Sequence, residues 1–186
     1  LEDVQEFFKK HYIASNATVV VVGDFDPART LALIHKYYSP LPKRPRPDRK
    51  IPEEPEQREE RRLNLYDQIA SERFALAYHV TSADQDDSYA LDVLANILFE
   101  GTSSRAYQKL VEDKDVTIGI SGSAYTPTYP GLFIISGTMK GALASTVAEK
   151  LLDEVIAEVQ EKGVTEDEVK VAVKQLTVHL VDSVRT

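Results

Sequence analysis

The sequence predicts an α+β fold, a largely antiparallel sheet with helices packed on one face. Three observations carry this. Strand-like stretches with period-two alternation occur in pairs, and amphipathic helical stretches are grouped between the pairs. The single β–α alternation that a doubly wound parallel sheet demands is missing. Hydrophobic residues make up 42% of the 186, enough for a sizeable core. The predicted order is helix, strand, helix, connector, two strands, two helices, two strands, two helices.

Residues 1–12 read as an amphipathic helix. Leu1, Val4, Phe7, Phe8 and His11 share a face, acidic Glu2 and Asp3 come early, and Lys9 and Lys10 come late. That order of charge suits the helix dipole. Ala17 to Val22 is an unbroken apolar run of mostly β-branched residues, which predicts a strand covered on both faces. Asp26-Pro27 then supplies an N-cap and a first helical residue. Leu31, Ile34 and Tyr38 are the apolar positions of that helix.

Residues 39–56 change character. They hold six of the nine prolines and the basic residues Lys43, Arg44, Arg46, Arg49 and Lys50, followed by Glu53, Glu54 and Glu56. This predicts an extended, polyproline-like connector. Pro42 and Pro45 have the spacing of an SH3-type ligand, but proline-rich connectors commonly contain that spacing without a partner.

Arg61–Tyr66 and Arg73–Val80 read as strands. In the second, Phe74, Leu76, Tyr78 and Val80 alternate with Ala75, Ala77 and His79. Asp86–Phe99 is predicted helical, with Ala90, Val93, Leu94, Ile97 and Leu98 as its apolar stripe and Gly101 as its stop. Asp84, Asp86 and Asp87 favour the dipole at its start rather than a cation site. Ser103 or Ser104 caps a short helix carrying Tyr107, Leu110 and Val111.

Val116–Tyr125 alternates, with Val116, Ile118 and Ile120 expected inward and Thr117, Gly119, Ser121 and Ser123 outward. Pro127–Gly131 turns the chain into a strand over Leu132–Met139. A helix over 142–161 places Leu143, Val147, Leu151, Val155 and Val159 in register, and Gly163 stops it. Thr165 and Glu168 form a capping box for the last helix, whose apolar face is Val169, Ala172, Val173, Leu176 and Leu180. Both ends of the chain fall within helical patterns. Residues 1–186 are therefore expected to be one domain of a longer protein.

A net charge of −8 and a pI near 5.1 argue against nucleic acid and anionic membrane as main partners. No apolar run approaches the roughly 20 residues of a membrane span. The chain has no cysteine, so disulfides and thiolate metal sites are excluded. His11, His35, His79 and His179 are scattered, and neither His-Glu-x-x-His nor His-x-x-Glu-His is present. A nucleophile elbow, a phosphate-binding loop and a dinucleotide fingerprint are also missing. Residue chemistry alone thus yields an acidic α+β domain without a catalytic set, and no cofactor or metal is expected within it.

Several stretches together resemble the pitrilysin/insulinase family of zinc metallopeptidases, which includes the mitochondrial processing peptidases. They are Asp3-Val4 with Phe7-Phe8 and His11-Tyr12; Asn16 to Asp26; Tyr37 to Pro42; Leu98 to Tyr107; Pro130 to Phe133; and Gly163 to Val169. Each is weak alone, but they are collinear over nearly the whole chain. The resemblance is to the family's second domain, which does not bind zinc. It implies a processing-peptidase-like fold and a parent protein of two similar halves closing around a peptide-cutting chamber. Zinc then belongs to a different domain, and the partners are that domain, the opposite half and a peptide substrate.

The family's second half supplies an Arg and, seven residues later, a Tyr near the zinc. The matching positions are Val111 and Ile118, and neither side chain can donate a hydrogen bond to an oxyanion. The chain is then either the second domain of the zinc-bearing half, which does not need the pair, or part of a wholly inactive half. The wording Leu110-Val111-Glu112 resembles first halves of long bacterial members and favours the former. The resemblance also implies a strand edge near Gly119, Ser121 and Gly122 that pairs with substrate, against the plainer reading of glycines at a twist in a covered sheet. The alternatives in function are a structural or assembly domain of a non-proteolytic relative and a peptide-binding module using the connector or the 116–124 edge.

Overall fold

The computed structural model describes residues 1–48, 51–52 and 54–185. Arg49, Lys50 and Glu53 of the connector lie outside the described residues. The chain divides into two compact units, Leu1–Leu63 and Asn64–Thr186.

The first unit holds two helices. Helix α1 spans Glu2–His11, with Glu2 and Asp3 in its first turn and three basic residues in its last. A 3-10 turn over Ala14–Asn16 follows, tied back by the Asn16 amide donating to the His11 carbonyl at 2.9 Å. Helix α2 spans Pro27–Tyr38, and its start is as expected. The Asp26 side chain accepts from the Arg29 N–H, and Pro27 takes the first turn, where its missing donor is harmless. The described residues beyond it, to Glu72, form no regular element.

Two strand expectations are corrected here. Ala17–Val22 and Arg61–Tyr66 form no strand. Val20 and Val22 are 77% and 90% exposed, and Leu63, Leu65 and Tyr66 are at least 80% exposed. β-propensity reports fitness for a pleated, half-buried surface, so without a neighbouring strand it leaves these segments irregular. None of the described residues of Leu1–Leu63 is buried.

The second unit is organised around a three-stranded antiparallel sheet. Strands β1 (Arg73–Val80), β2 (Thr117–Tyr125) and β3 (Gly131–Met139) lie in the order β1-β3-β2. β3 is central and its residues alternate between buried and half-buried. One sheet face is covered by helices α3 (Asp87–Phe99), α4 (Arg105–Tyr107, continued as a π-helical stretch over Gln108–Asp113) and α5 (Ser145–Lys162). Helix α6 (Glu166–Ser183) packs on α3. The core joins Leu98 and Phe99 of α3, Leu110 of the π-helical stretch, Phe133 and Ile135 of β3, and Leu152 of α5. This is the α+β arrangement expected from the sequence.

The helix faces agree with the sequence reading only in part. In α3, Ala90 is exposed, while Leu94, Ile97 and Leu98 are covered as expected and Leu91, Ala95 and Phe99 join them. Leu143 precedes α5 and is exposed, as is Val147 within it; Leu151, Val155 and Val159 pack on the core as expected, joined by the buried Ala148 and Leu152. In α6, Ala172 is buried but Val173 and Leu180 are exposed. Each helix carries more apolar residues than one face can hold, so packing rather than periodicity chooses the stripe. The helix stops are as expected, with Gly101 and Gly163 both at positive φ.

Candidate functional site

The candidate site is the outer edge of β2 and the backbone that leads into it. From α4 the chain passes through the π-helical stretch, in which Leu110 is fully buried. It then passes Asp115, a non-glycine residue at φ 51°. The Lys140 ammonium meets both Asp115 carboxylate oxygens at 2.6 Å, fixing the entry to β2 against the end of β3.

β2 begins with an irregularity. Thr117 pairs with Met139 and Gly119 with Thr138, so Ile118 is the extra residue of a β-bulge. The bulge reverses the expected orientation at two positions, while Val116 and Ile120 are buried as expected. Thr117 is turned inward and is 1% exposed, whereas Ile118, expected in the core, is 63% exposed. The Thr117 hydroxyl oxygen has no hydrogen-bond partner among the described residues. Beyond the bulge Ile120 is buried, and Ser121 faces outward to meet the Ser136 hydroxyl at 3.0 Å.

The three residues named for a substrate edge are set apart by their environments. A Cβ at Gly119 would meet no atom within 4 Å, so nothing in this chain requires glycine there. Ser121 lies on the outer face. Gly122 is turned to the core, where a Cβ would run into the Phe99 ring, 2.7 Å from Cγ. Phe99 in turn packs at a tilt on Phe133, with ring centroids 6.1 Å apart. The glycine at 122 thus answers to the Phe99 ring. β2 is an outer strand of the sheet, and its sequence TIGISGSAY contains neither a charge nor a proline.

Val111 and Ile118, where the resemblance places an Arg and a Tyr, both stand at backbone irregularities. Val111 is in the π-helical stretch and half-buried against the core, and Ile118 is the bulge residue. Neither carries a polar atom to offer a reacting group. The described residues contain no group of three or more His, Asp or Glu placed to hold a metal ion.

One pairing was not legible in the sequence. Arg105, in the Ser103-Ser104-Arg105 turn, meets Glu168 in a bidentate contact of 2.7 and 2.8 Å across 63 residues of chain. Glu168 is also the third helical residue of the expected capping box. It accepts from the Thr165 N–H at 2.7 Å, and its own N–H donates to the Thr165 hydroxyl. The Arg105 guanidinium, aided by Thr165, holds the Glu168 carboxyl down to about 2. Ser104, expected as a cap, stands at the N-cap position but turns its hydroxyl back to the Gly101 carbonyl at 2.8 Å. Two stretches that carry the family resemblance are thus joined physically.

The chain matches the family model of the peptidase M16 inactive domain over residues 1–176. It is 33% identical over 119 residues to the zinc protease PqqE of Helicobacter pylori, a match covering 61% of this chain and 26% of that one. Its fold superposes on the crystal structure of a protease from Helicobacter pylori with a TM-score of 0.79 and 21% identity, over 98% of this chain and 45% of that one. It also superposes on the peptidase M16 inactive domain from Pseudomonas fluorescens with a TM-score of 0.72 and 24% identity, over 95% of this chain and 42% of that one. It thus spans less than half the length of each of these relatives. A family match over nearly the whole length, on the fold described above, leads to one conclusion: the chain belongs to the peptidase M16 family, as an inactive domain of that family.

Proposed function

We propose that this chain is the non-catalytic domain of a zinc metalloendopeptidase, forming part of the chamber wall and anchoring a peptide substrate along β2. The zinc belongs to another domain of the same protein or of a partner half. The carrying observation is the β2 edge, nine residues long, without charge or proline, at the outside of the sheet. Edges that are not meant to pair are usually blunted by such residues. An extended peptide can add there as a further strand, with main-chain hydrogen bonds giving affinity. Gly119 supports the reading, because its missing side chain leaves room that this chain does not use. Gly122 contributes from behind by letting β2 lie close on Phe99.

The domain's part is therefore to position substrate. Val111 and Ile118 leave it without a donor for transition-state charge, which fits either the second domain of the zinc-bearing half or a wholly inactive half, and the Leu110-Val111-Glu112 stretch favours the former. Titration of isotope-labelled protein with unstructured peptides tests the anchoring, with amide shifts expected along 117–125. Shifts absent at millimolar peptide would remove it. Peptide hydrolysis by the purified chain that a chelator abolishes, or stoichiometric zinc binding, would overturn the non-catalytic assignment. The scaffold alternative holds if the full-length natural protein and its partner half lack His-x-x-Glu-His.

A further inference from the structure

The sheet has a second face. Helices cover the side of Phe133, Ile135 and Met139, and Leu132, Ile134, Ser136 and Thr138 of β3 alternate with these onto the other side. The strand register lays rows across that face. Arg73, Thr138 and Gly119 form one row, and Ala75, Ser136 and Ser121 the next. Ala77, Ile134 and Ser123 follow, then His79, Leu132 and Tyr125. No residue of these rows is Asp or Glu, in a chain of net charge −8. The first two rows border a hollow of about 620 Å³, lined among others by Arg73, Ile118, Gly119, Ser121, Ser136 and Thr138. Gly119 leaves it open towards the β2 edge, because no side chain stands there. Arg73 is exposed and has no ion-pair partner among the described residues. The carboxylate next to it in sequence, Glu72, is engaged by the Ser145 N–H at 3.0 Å.

We propose that this hollow is a specificity pocket for a peptide strand paired on β2, and that it takes a glutamate side chain passing over Gly119 towards Arg73. The proposal rests on the anchoring function above and names the substrate class, an extended acidic peptide. A strand added to β2 sends every second side chain onto this face. Its backbone stands three strand spacings from β1, about 14 Å. Closing that span takes two long side chains extended towards one another, directly or through one water, so the long glutamate fits best. The Ser121 and Ser136 hydroxyls meet each other at 3.0 Å, which leaves the Thr138 hydroxyl, between Gly119 and Arg73 in its row, to donate to the carboxylate. Ile118, 63% exposed at the bulge, gives the glutamate stem an apolar wall. Charge selects the occupant. The chain as a whole repels an acidic peptide, and this face is the exception, with a cation and hydroxyls but no carboxylate. A basic side chain in the hollow would face the like charge of Arg73.

Two unstructured peptides test this, each as long as β2 at nine residues, acetylated and amidated, and differing only in a central Glu or Gln with no other charge. They are titrated against the isotope-labelled 186-residue chain. At low ionic strength the Glu peptide is expected to bind about threefold to fivefold more tightly than the Gln peptide, the strength of an exposed ion pair. The advantage should fade in about 1 M salt, where charges are screened within about 3 Å. Arg73→Gln should abolish the advantage while leaving the affinity for the Gln peptide and the melting temperature unchanged. Arg73→Lys should retain part of it. Equal binding of the two peptides, with amide shifts along 117–125, would overturn the pocket and leave the anchoring function standing. A Glu advantage that survives Arg73→Gln would overturn the pocket too, as would equal weakening of both peptides by that variant. No amide shift with either peptide at millimolar concentration would overturn the pocket and the anchoring together.

Discussion

The two units make opposite use of similar material. Leu1–Leu63 contains ring contacts Phe7–His11 in α1 and Phe8–Tyr12 at its end, a proline-started helix and a valine run, but none of its described residues is buried. Asn64–Thr186 contains every buried hydrophobic residue described, from Ala95 to Ala172. What separates them is a sheet. β3 has a partner on each side and thereby offers an apolar face that α3, α4 and α5 can cover. Ala17–Val22 has equal or better strand chemistry and no such neighbour. Burial is thus a property of assembled surfaces, and a segment's composition only makes it eligible.

If that contrast is right, core truncations should divide the molecule. Leu110→Ala or Leu152→Ala, at fully buried positions, should cost about 3–5 kcal/mol in urea unfolding of the 186-residue chain. Phe7→Ala or Val20→Ala should change the same transition by less than about 0.5 kcal/mol. A large effect at Val20 would break the comparison.

A smaller loss is expected from crowding where β2 meets α3. Gly122→Ala places a methyl against the Phe99 ring and should cost about 1–3 kcal/mol. Gly119→Ala, with open space around it, should be nearly neutral to folding while weakening peptide binding. A loss of stability at 119 equal to that at 122 would remove the distinction between an inner and an outer glycine.

Next is the link between α4 and α6. Arg105 and Glu168 are only 21% and 29% exposed, so their contact should contribute about 1–2 kcal/mol. Glu168 has its folded value held to about 2, below the ordinary 4.5. The sign follows. The contribution is full above about pH 4.5 and is lost as pH falls towards 2, because the unfolded chain takes up the proton first. Glu168→Gln should flatten the acid limb of stability against pH over that window. An unchanged limb would show the pair to be idle.

The smallest effect has the opposite direction. Thr117→Val replaces a hydroxyl oxygen that has no partner among the described residues and should stabilise by about 1 kcal/mol. Destabilisation of similar size would mean that the hydroxyl is bonded in solution.

Much of the second unit could be read along the chain because its signals are local. The capping box of Thr165 and Glu168, the stops at Gly101 and Gly163, and β1 with its alternation are each written within a few neighbouring residues. The Asp26 cap of α2 is of the same kind. These features depend on side chains meeting their own backbone, so sequence alone determines them.

Tertiary structure decided everything that needs a second surface. One extra residue at Ile118 turned Thr117 inward and Ile118 outward, which periodicity cannot foresee because a bulge resets the phase of a strand. The stripes of α3, α5 and α6 were chosen by what they pack on. Arg105 and Glu168 met across 63 residues, a distance no local rule spans. The valine run shows the same dependence in reverse. Its sequence makes it fit to be a strand, and only a neighbouring strand can make it one, because the ladder's hydrogen bonds belong to two segments at once.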